Sequence, residues 1–149
     1  MSEAQAAEAR FWSHVWRCRH PAPCQVCCWP WLPAYRKALR RPYFPAHGTY
    51  HVSQQLPAVS APRWAYILTH GALLLPFRQP LQMCHRCDFP PCCNPTHLFL
   101  ATAQENIRDS YDKGHRRDQR QPITLPDGLV VTAPFVLCND PSLHKETTP

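Results

Sequence analysis

Cys87, Cys92 and His97 are separated by two four-residue gaps, a C-x4-C step followed by a C-x4-H step. Zinc takes Cys thiolate and His imidazole in tetrahedral sets of four, so this stretch offers three ligands. Pro90, Pro91 and Pro95 fall in the gaps. Their restricted backbones reduce the entropy lost when a loop closes on an ion. The fourth ligand has to come from elsewhere. Cys28, just ahead of Trp29-Pro30-Trp31, is the first choice and Cys27 the nearest rival; Cys93 is poorly placed because Cys92 already uses that point of the loop. The bland alternative is that these cysteines are small buried hydrophobes. An upstream set, Cys18, His20, Cys24 and Cys27, could hold a second zinc on less even spacing, while Cys84, Cys93 and Cys138 are expected to pack as ordinary thiols.

Two further side chains flank the zinc set. His85 lies two residues before Cys87, so a metal loop would hold its backbone. An imidazole with an ordinary pKa of about 6.5 can accept a proton from water at neutral pH. Asn106 lies nine residues after His97. Its amide oxygen suits a hard cation such as Mg²⁺, which keeps several of its waters. Alone, the first would read as a satisfied histidine and the second as a helix-surface asparagine. Beside a pinned loop, the two together imply metal-assisted phosphodiester hydrolysis. His85 would activate a water, and Mg²⁺ on Asn106, with Mn²⁺ as a substitute, would stabilise the developing charge. Arg63 could hold the phosphate, or could equally be a surface arginine capping its own helix. The zinc in this reading is structural, because four protein ligands leave no open position for water.

The surrounding elements must hold these groups in place. Residues 5–16 are good helix formers early on and then carry Phe11, Trp12, Val15 and Trp16 as an apolar face, which reads as an amphipathic helix docked on the core. No regular period survives from 17 to 33. Residues 34–45 are basic and aromatic and suit a short helix ended by Pro42. Gly48 precedes a strand candidate over 49–52, and 53–62 reads as loop. Residues 63–70 read as a buried helix stopped by Gly71. A strand over 81–84 leads into His85, and 98–101 is a second strand. Thr102 and Glu105 form a capping box that opens a helix to about Lys113, closed by Gly114. Residues 123–137 hold Pro126-Asp127-Gly128, a turn between two β-rich runs, and the tail after Cys138 is expected to be mobile. The fold class is α+β.

With 149 residues the chain suits one domain. Eighteen prolines against four glycines imply short elements and stiff loops, and a small loop-rich core is commonly stapled by a metal. The first ten residues are polar, acidic and alanine-rich, without the apolar stretch of a signal peptide. The longest apolar run, 72–77, is too short to span a bilayer. An intracellular, nucleic-acid-associated location without membrane contact is therefore expected, where nine cysteines favour metal over disulfide. The formal charge is +6, with a sequence pI near 9.0. The charge is bunched at Arg36, Lys37, Arg40 and Arg41, and again at Lys113, Arg116, Arg117 and Arg120, which favours a polyanion partner over a merely solvated surface. Tyr35 and Tyr43 add stacking surface to the first bunch, and Arg86 adds a cation beside the zinc loop.

The run His85-Arg86-Cys87-Asp88-Phe89-Pro90-Pro91-Cys92-Cys93-Asn94-Pro95-Thr96-His97-Leu98 resembles the HNH, or ββα-metal (His-Me finger), endonucleases, especially phage-type and intron-homing members and the His-Cys box nucleases. Ala101-Thr102-Ala103-Gln104-Glu105-Asn106-Ile107-Arg108-Asp109 is similar to the family's following helix opening. Phe11-Trp12-Ser13-His14-Val15, Cys28-Trp29-Pro30-Trp31 and Arg63-Trp64-Ala65-Tyr66 look like its upstream segments, more loosely. The resemblance covers roughly residues 11–117, interrupted by the basic stretch at 34–45. It implies a zinc-stabilised ββα-metal core with flanking helices, in a nuclease domain over 1–120 followed by a hairpin and tail over 121–149. It also implies DNA cleavage leaving 3′-hydroxyl and 5′-phosphate ends, and a loop-shaping role for Asn94. The chain departs from the pattern at Cys84, where many members carry an acidic metal ligand, at Ala101, where glycine is usual, and in lacking a second histidine on the helix.

Two functions remain open on these residues. One is a Mg²⁺-dependent DNA endonuclease; the other is a catalytically inactive, zinc-stabilised DNA-binding module acting as an accessory subunit. A homodimer or a phage or defence complex would suit either, and only the enzyme needs His85 and Asn106 together. A secreted disulfide scaffold would require most of the cysteines to be oxidised.

Overall fold

Helix α1, Glu3–Ser13, begins at a reciprocal cap. The Ser2 hydroxyl accepts the Gln5 amide, and the Gln5 side chain accepts the Ser2 amide. The helix expected over 5–16 is therefore shifted towards the N-terminus. It stops early because Val15 leaves to form a β-bridge with Trp31 and the Trp16 amide donates to the Pro30 carbonyl. Phe11, fully buried, stacks on Trp31 at 5.1 Å and meets Tyr50 edge-on. Arg10 donates to the Tyr50 hydroxyl and the Val52 carbonyl, which ties α1 to the next strand.

These observations come from a computed structural model. It describes residues 1–18, 20, 24–34, 47–71 and 81–112, and the backbone of 121–124 and 130–133.

Strand β1, Thr49–Tyr50, pairs antiparallel with β2, Val59–Ser60. The second strand lies inside the stretch expected to be loop; two residues are too few to show an alternation. Gly48 takes a left-handed φ of 76°, and a Cβ there would overlap the Trp31 ring. Helix α2, Ala61–His70, starts directly after β2 with Pro62 in its first turn, two residues earlier than expected, and Gly71 ends it at φ 101°. It packs on β1 and β2. The core sits where α1, Trp31, β1, β2, α2 and Leu98 meet, with Cys93 fully buried among them.

Strands β3, Gln82–His85, and β4, Leu98–Ala101, form an antiparallel hairpin with Gln82 opposite Ala101 and His85 opposite Leu98. The long loop between them turns at Asp88, whose φ of 53° is a left-handed conformation that Asp tolerates, and ends in a 3₁₀ turn over Pro95–His97. Helix α3, Ala103–Asp112, packs across β3 and β4. Its capping box is present: the Glu105 amide donates to the Thr102 hydroxyl at 3.2 Å, and the Thr102 amide to the Glu105 carboxylate at 2.7 Å. A further hairpin joins β5, Gln121–Thr124, to β6, Val130–Ala133. The molecule is a small mixed α+β chain, and none of its described helices is long and apolar enough to cross a membrane. The basic bunches at Arg36, Lys37, Arg40, Arg41 and at Lys113, Arg116, Arg117, Arg120 lie outside the described residues, as do the turn at Pro126-Asp127-Gly128, Cys138 and the tail.

Candidate metal centres and the hairpin site

Among the described residues, two groups of side chains could hold a metal ion such as zinc, and each sets four ligand atoms within 4.8 Å of one another. The first is Cys28, Cys87, Cys92 and His97. The second is Cys18, His20, Cys24 and Cys27. Cys28 and Cys27, rivals for one place in the sequence, are thus divided between the two clusters.

Two edges of the first cluster have the length that a tetrahedral zinc site would give. His97 Nδ1 lies 3.6 Å from both Cys28 Sγ and Cys92 Sγ. With Zn–S of about 2.3 Å and Zn–N of about 2.0 Å, a tetrahedron has S···N edges of about 3.5 Å. His97 Nε2 lies 2.8 Å from the Gln25 carbonyl. A carbonyl only accepts, so Nε2 donates to it, and Nδ1 is the nitrogen that faces the sulfurs and would be the one to ligate a metal. The Cys92 sulfur accepts the Trp29 amide at 3.4 Å. The hydrogen bonds Cys87 accepts from Cys28 and Cys92 push its thiol far below the ordinary range. Hydrogen bonding to Cys87 and Cys92 pushes Cys28 far above it. Negative charge therefore concentrates at this point, where a cation would share it.

The second cluster is built on the chain just before the first. Cys27 Sγ lies 3.8 Å from His20 Nδ1. Cys24 Sγ accepts the Cys27 amide at 3.1 Å, and Cys18 Sγ accepts the Trp29 indole N–H at 3.2 Å. Burial opposes ionisation at Cys24, but the amides of Cys27 and Val26 outweigh it and bring the thiol down to about 7. None of the eight described cysteines is disulfide-bonded. Cys84 and Cys93 lie outside both clusters as buried thiols.

The first cluster also orients His85. The imidazole is 8% exposed at the end of β3, with Nε2 3.1 Å from the carbonyl of Cys92, a residue of the cluster itself. Nε2 must donate to that carbonyl, which leaves the lone pair on Nδ1. Burial pushes the ring down to about 4 and keeps it neutral at physiological pH. The His47 ring lies 5.6 Å away and is also pushed down by burial. His47 was not a sequence candidate. It is 38 residues from His85 in the chain, and only the tertiary fold brings the two together.

Asn106 reaches the hairpin from α3, where its Nδ2 donates to the Gln82 side-chain oxygen at 2.9 Å. Side chains alternate along a strand, so Gln82 and Cys84 face α3 while His85 turns to the metal loop. Gln82 is a second residue that sequence reasoning missed. Arg63 reaches the next element: its Nη2 donates to the Leu81 carbonyl at 2.7 Å, anchoring α2 to the start of β3. Arg86 is exposed, with its guanidinium 4.9 Å over the Phe99 ring.

A 30-residue stretch of the chain is 53% identical to Protein 2.8 of Escherichia phage T7, covering 20% of this chain and 22% of that relative. The chain thus matches about a fifth of the length of its curated relative. No family model matches, and no solved structure matches.

Proposed function

We propose that this chain is a magnesium-dependent DNA endonuclease of the HNH, ββα-metal type, with a structural zinc in the cluster of Cys28, Cys87, Cys92 and His97. The observation that carries the reading is the hydrogen bond from His85 to the Cys92 carbonyl. One residue supplies both a sulfur to the metal cluster and the acceptor that sets the imidazole tautomer. Filling the cluster would therefore orient a proton acceptor at the mouth of the hairpin.

In the proposed reaction His85 Nδ1 takes a proton from water as the water oxygen attacks phosphorus. The bond to the 3′ oxygen then breaks, leaving a 3′-hydroxyl, protonated from solvent, and a 5′-phosphate. Asn106 would hold a magnesium ion through its side-chain oxygen, and such an ion would supply positive charge to offset the charge that develops on the phosphate. The Asn106 amide nitrogen is engaged by Gln82, which leaves the oxygen to accept; because Gln82 and His85 lie on opposite faces of β3, the scissile phosphate would have to reach both faces at the end of the hairpin. Gln82 holds the amide in that orientation, and Arg63 stiffens the start of β3. Arg86 and the bunches Arg36, Lys37, Arg40, Arg41, Arg116 and Arg117 would neutralise DNA phosphates.

The test is nicking of supercoiled plasmid with Mg²⁺ or Mn²⁺ against EDTA. Wild type should nick. His85→Ala should lose about 10²- to 10⁴-fold of the rate, the span general-base groups contribute, while keeping its zinc. A protein that binds DNA and holds zinc but leaves plasmid intact under every divalent ion tried would instead be the inactive accessory module.

A further inference from the structure

The two Cys/His clusters are joined through shared residues. Asn94 is fully buried, and its Nδ2 donates both protons to the upstream loop, one to the Cys24 carbonyl and one to the Cys27 carbonyl at 2.7 Å. The Thr96 hydroxyl lies 3.0 Å from that same Cys24 carbonyl, and His97 reaches the Gln25 carbonyl. Three residues of the downstream metal loop thus hold the backbone that presents Cys24 and Cys27. Trp29 links the clusters a second way: its amide donates to Cys92 Sγ in one, and its indole N–H to Cys18 Sγ in the other. The ligands Cys27 and Cys28 are adjacent in the chain.

We infer that Cys18, His20, Cys24 and Cys27 form a second zinc site whose filling is coupled to the first, with Asn94 as the coupling residue. The inference rests on the zinc reading of the first cluster but not on catalysis. An ion on Cys28, Cys87, Cys92 and His97 fixes the 92–97 loop. Asn94 and Thr96 then hold Cys24 and Cys27 in place before a second ion arrives, and less chain has to be ordered by that second event. Coupling of equilibrium affinities is reciprocal, so an ion in the upstream site strengthens the downstream one by the same factor. Three thiolates and one imidazole suit Zn²⁺ and its tetrahedral substitute Co²⁺.

The experiment is metal counting on the full chain by elemental analysis, with Co²⁺ titration followed through its thiolate charge-transfer and tetrahedral d–d bands, and zinc release to a graded chelator. Wild type should hold two ions. Cys18→Ser should hold one and should surrender it at least ten times more readily than wild type surrenders its more tightly held ion. Asn94→Ala keeps every ligand yet should lose its upstream ion at a chelator concentration at least tenfold lower. If Asn94→Ala does not fold, Trp29→Phe, which removes the indole N–H but keeps a ring, should show the same direction. One ion per wild-type chain would overturn the second site while leaving the first intact. None would overturn both. Two ions released independently, with no effect of Asn94→Ala or Trp29→Phe, would overturn the coupling.

Discussion

His85 and Asn106 each hydrogen-bond a partner that lies elsewhere in the chain. The Cys92 carbonyl sets one imidazole nitrogen as donor and the other as acceptor. Spacing could nominate His85, but it could not supply the tautomer, because Cys92 approaches the ring only after the loop has folded back. Asn106 is engaged through its nitrogen by Gln82, which gives a sharp pair of expectations. Asn106→Ala should abolish plasmid nicking. Asn106→Asp should retain it, since an oxygen remains for the cation and the Gln82 amide can turn to donate to the new carboxylate. Nicking measured against Mg²⁺ concentration checks both, and equal loss in the two variants would remove Asn106 as a cation ligand. Arg63 carries the opposite lesson. A phosphate-binding role and a helix-capping role were both open from sequence, and its bond to the Leu81 carbonyl shows a brace between α2 and β3.

The elements built from local rules match closely. The capping box at Thr102 and Glu105 opens α3, and Gly71 ends α2, because both signals act within one helical turn. Thr102→Ala should therefore destabilise the protein by about 1 kcal/mol, read from chemical denaturation with metal present. Elements that depend on distant partners were less legible. The last turn expected of α1 is given up for the bridge from Val15 to Trp31, and β2 exists only because β1 lies beside it. Gly48 joins both kinds of constraint, with a left-handed backbone and the Trp31 ring where a side chain would go. Gly48→Ala should cost roughly 2 kcal/mol or more, by strain and overpacking together, visible as a lowered denaturation midpoint at unchanged slope.

At the scale of the whole molecule, the metal clusters sit where a short-element, proline-rich chain needs a staple. Chelation should thus remove folded structure along with any activity. Thiolates and imidazole bind metal only when deprotonated, so affinity should fall as pH falls. Zinc release should accompany loss of circular dichroism on acidification, and readdition of zinc at neutral pH should restore both. DNA binding belongs to this scale as well. Replacing Arg36, Lys37, Arg40 and Arg41 by Ala should flatten the dependence of log affinity on log salt by roughly 0.9 for each phosphate that these side chains neutralise in the wild type. An unchanged slope would exclude that stretch from the interface.

Much of the metal chemistry was written in residue type and spacing. The candidate ligands Cys87, Cys92 and His97 lie on one short loop, and both candidate tetrads could be named, because soft sulfur and imidazole in clusters have few other roles. The α+β character followed from local capping and alternation. The approach of His47 to His85, the Gln82 partner of Asn106 and the double role of Asn94 were hidden. Each joins segments far apart along the chain, and such pairings exist only once the core around Phe11, Trp31 and Tyr50 has closed and brought those segments within hydrogen-bonding reach.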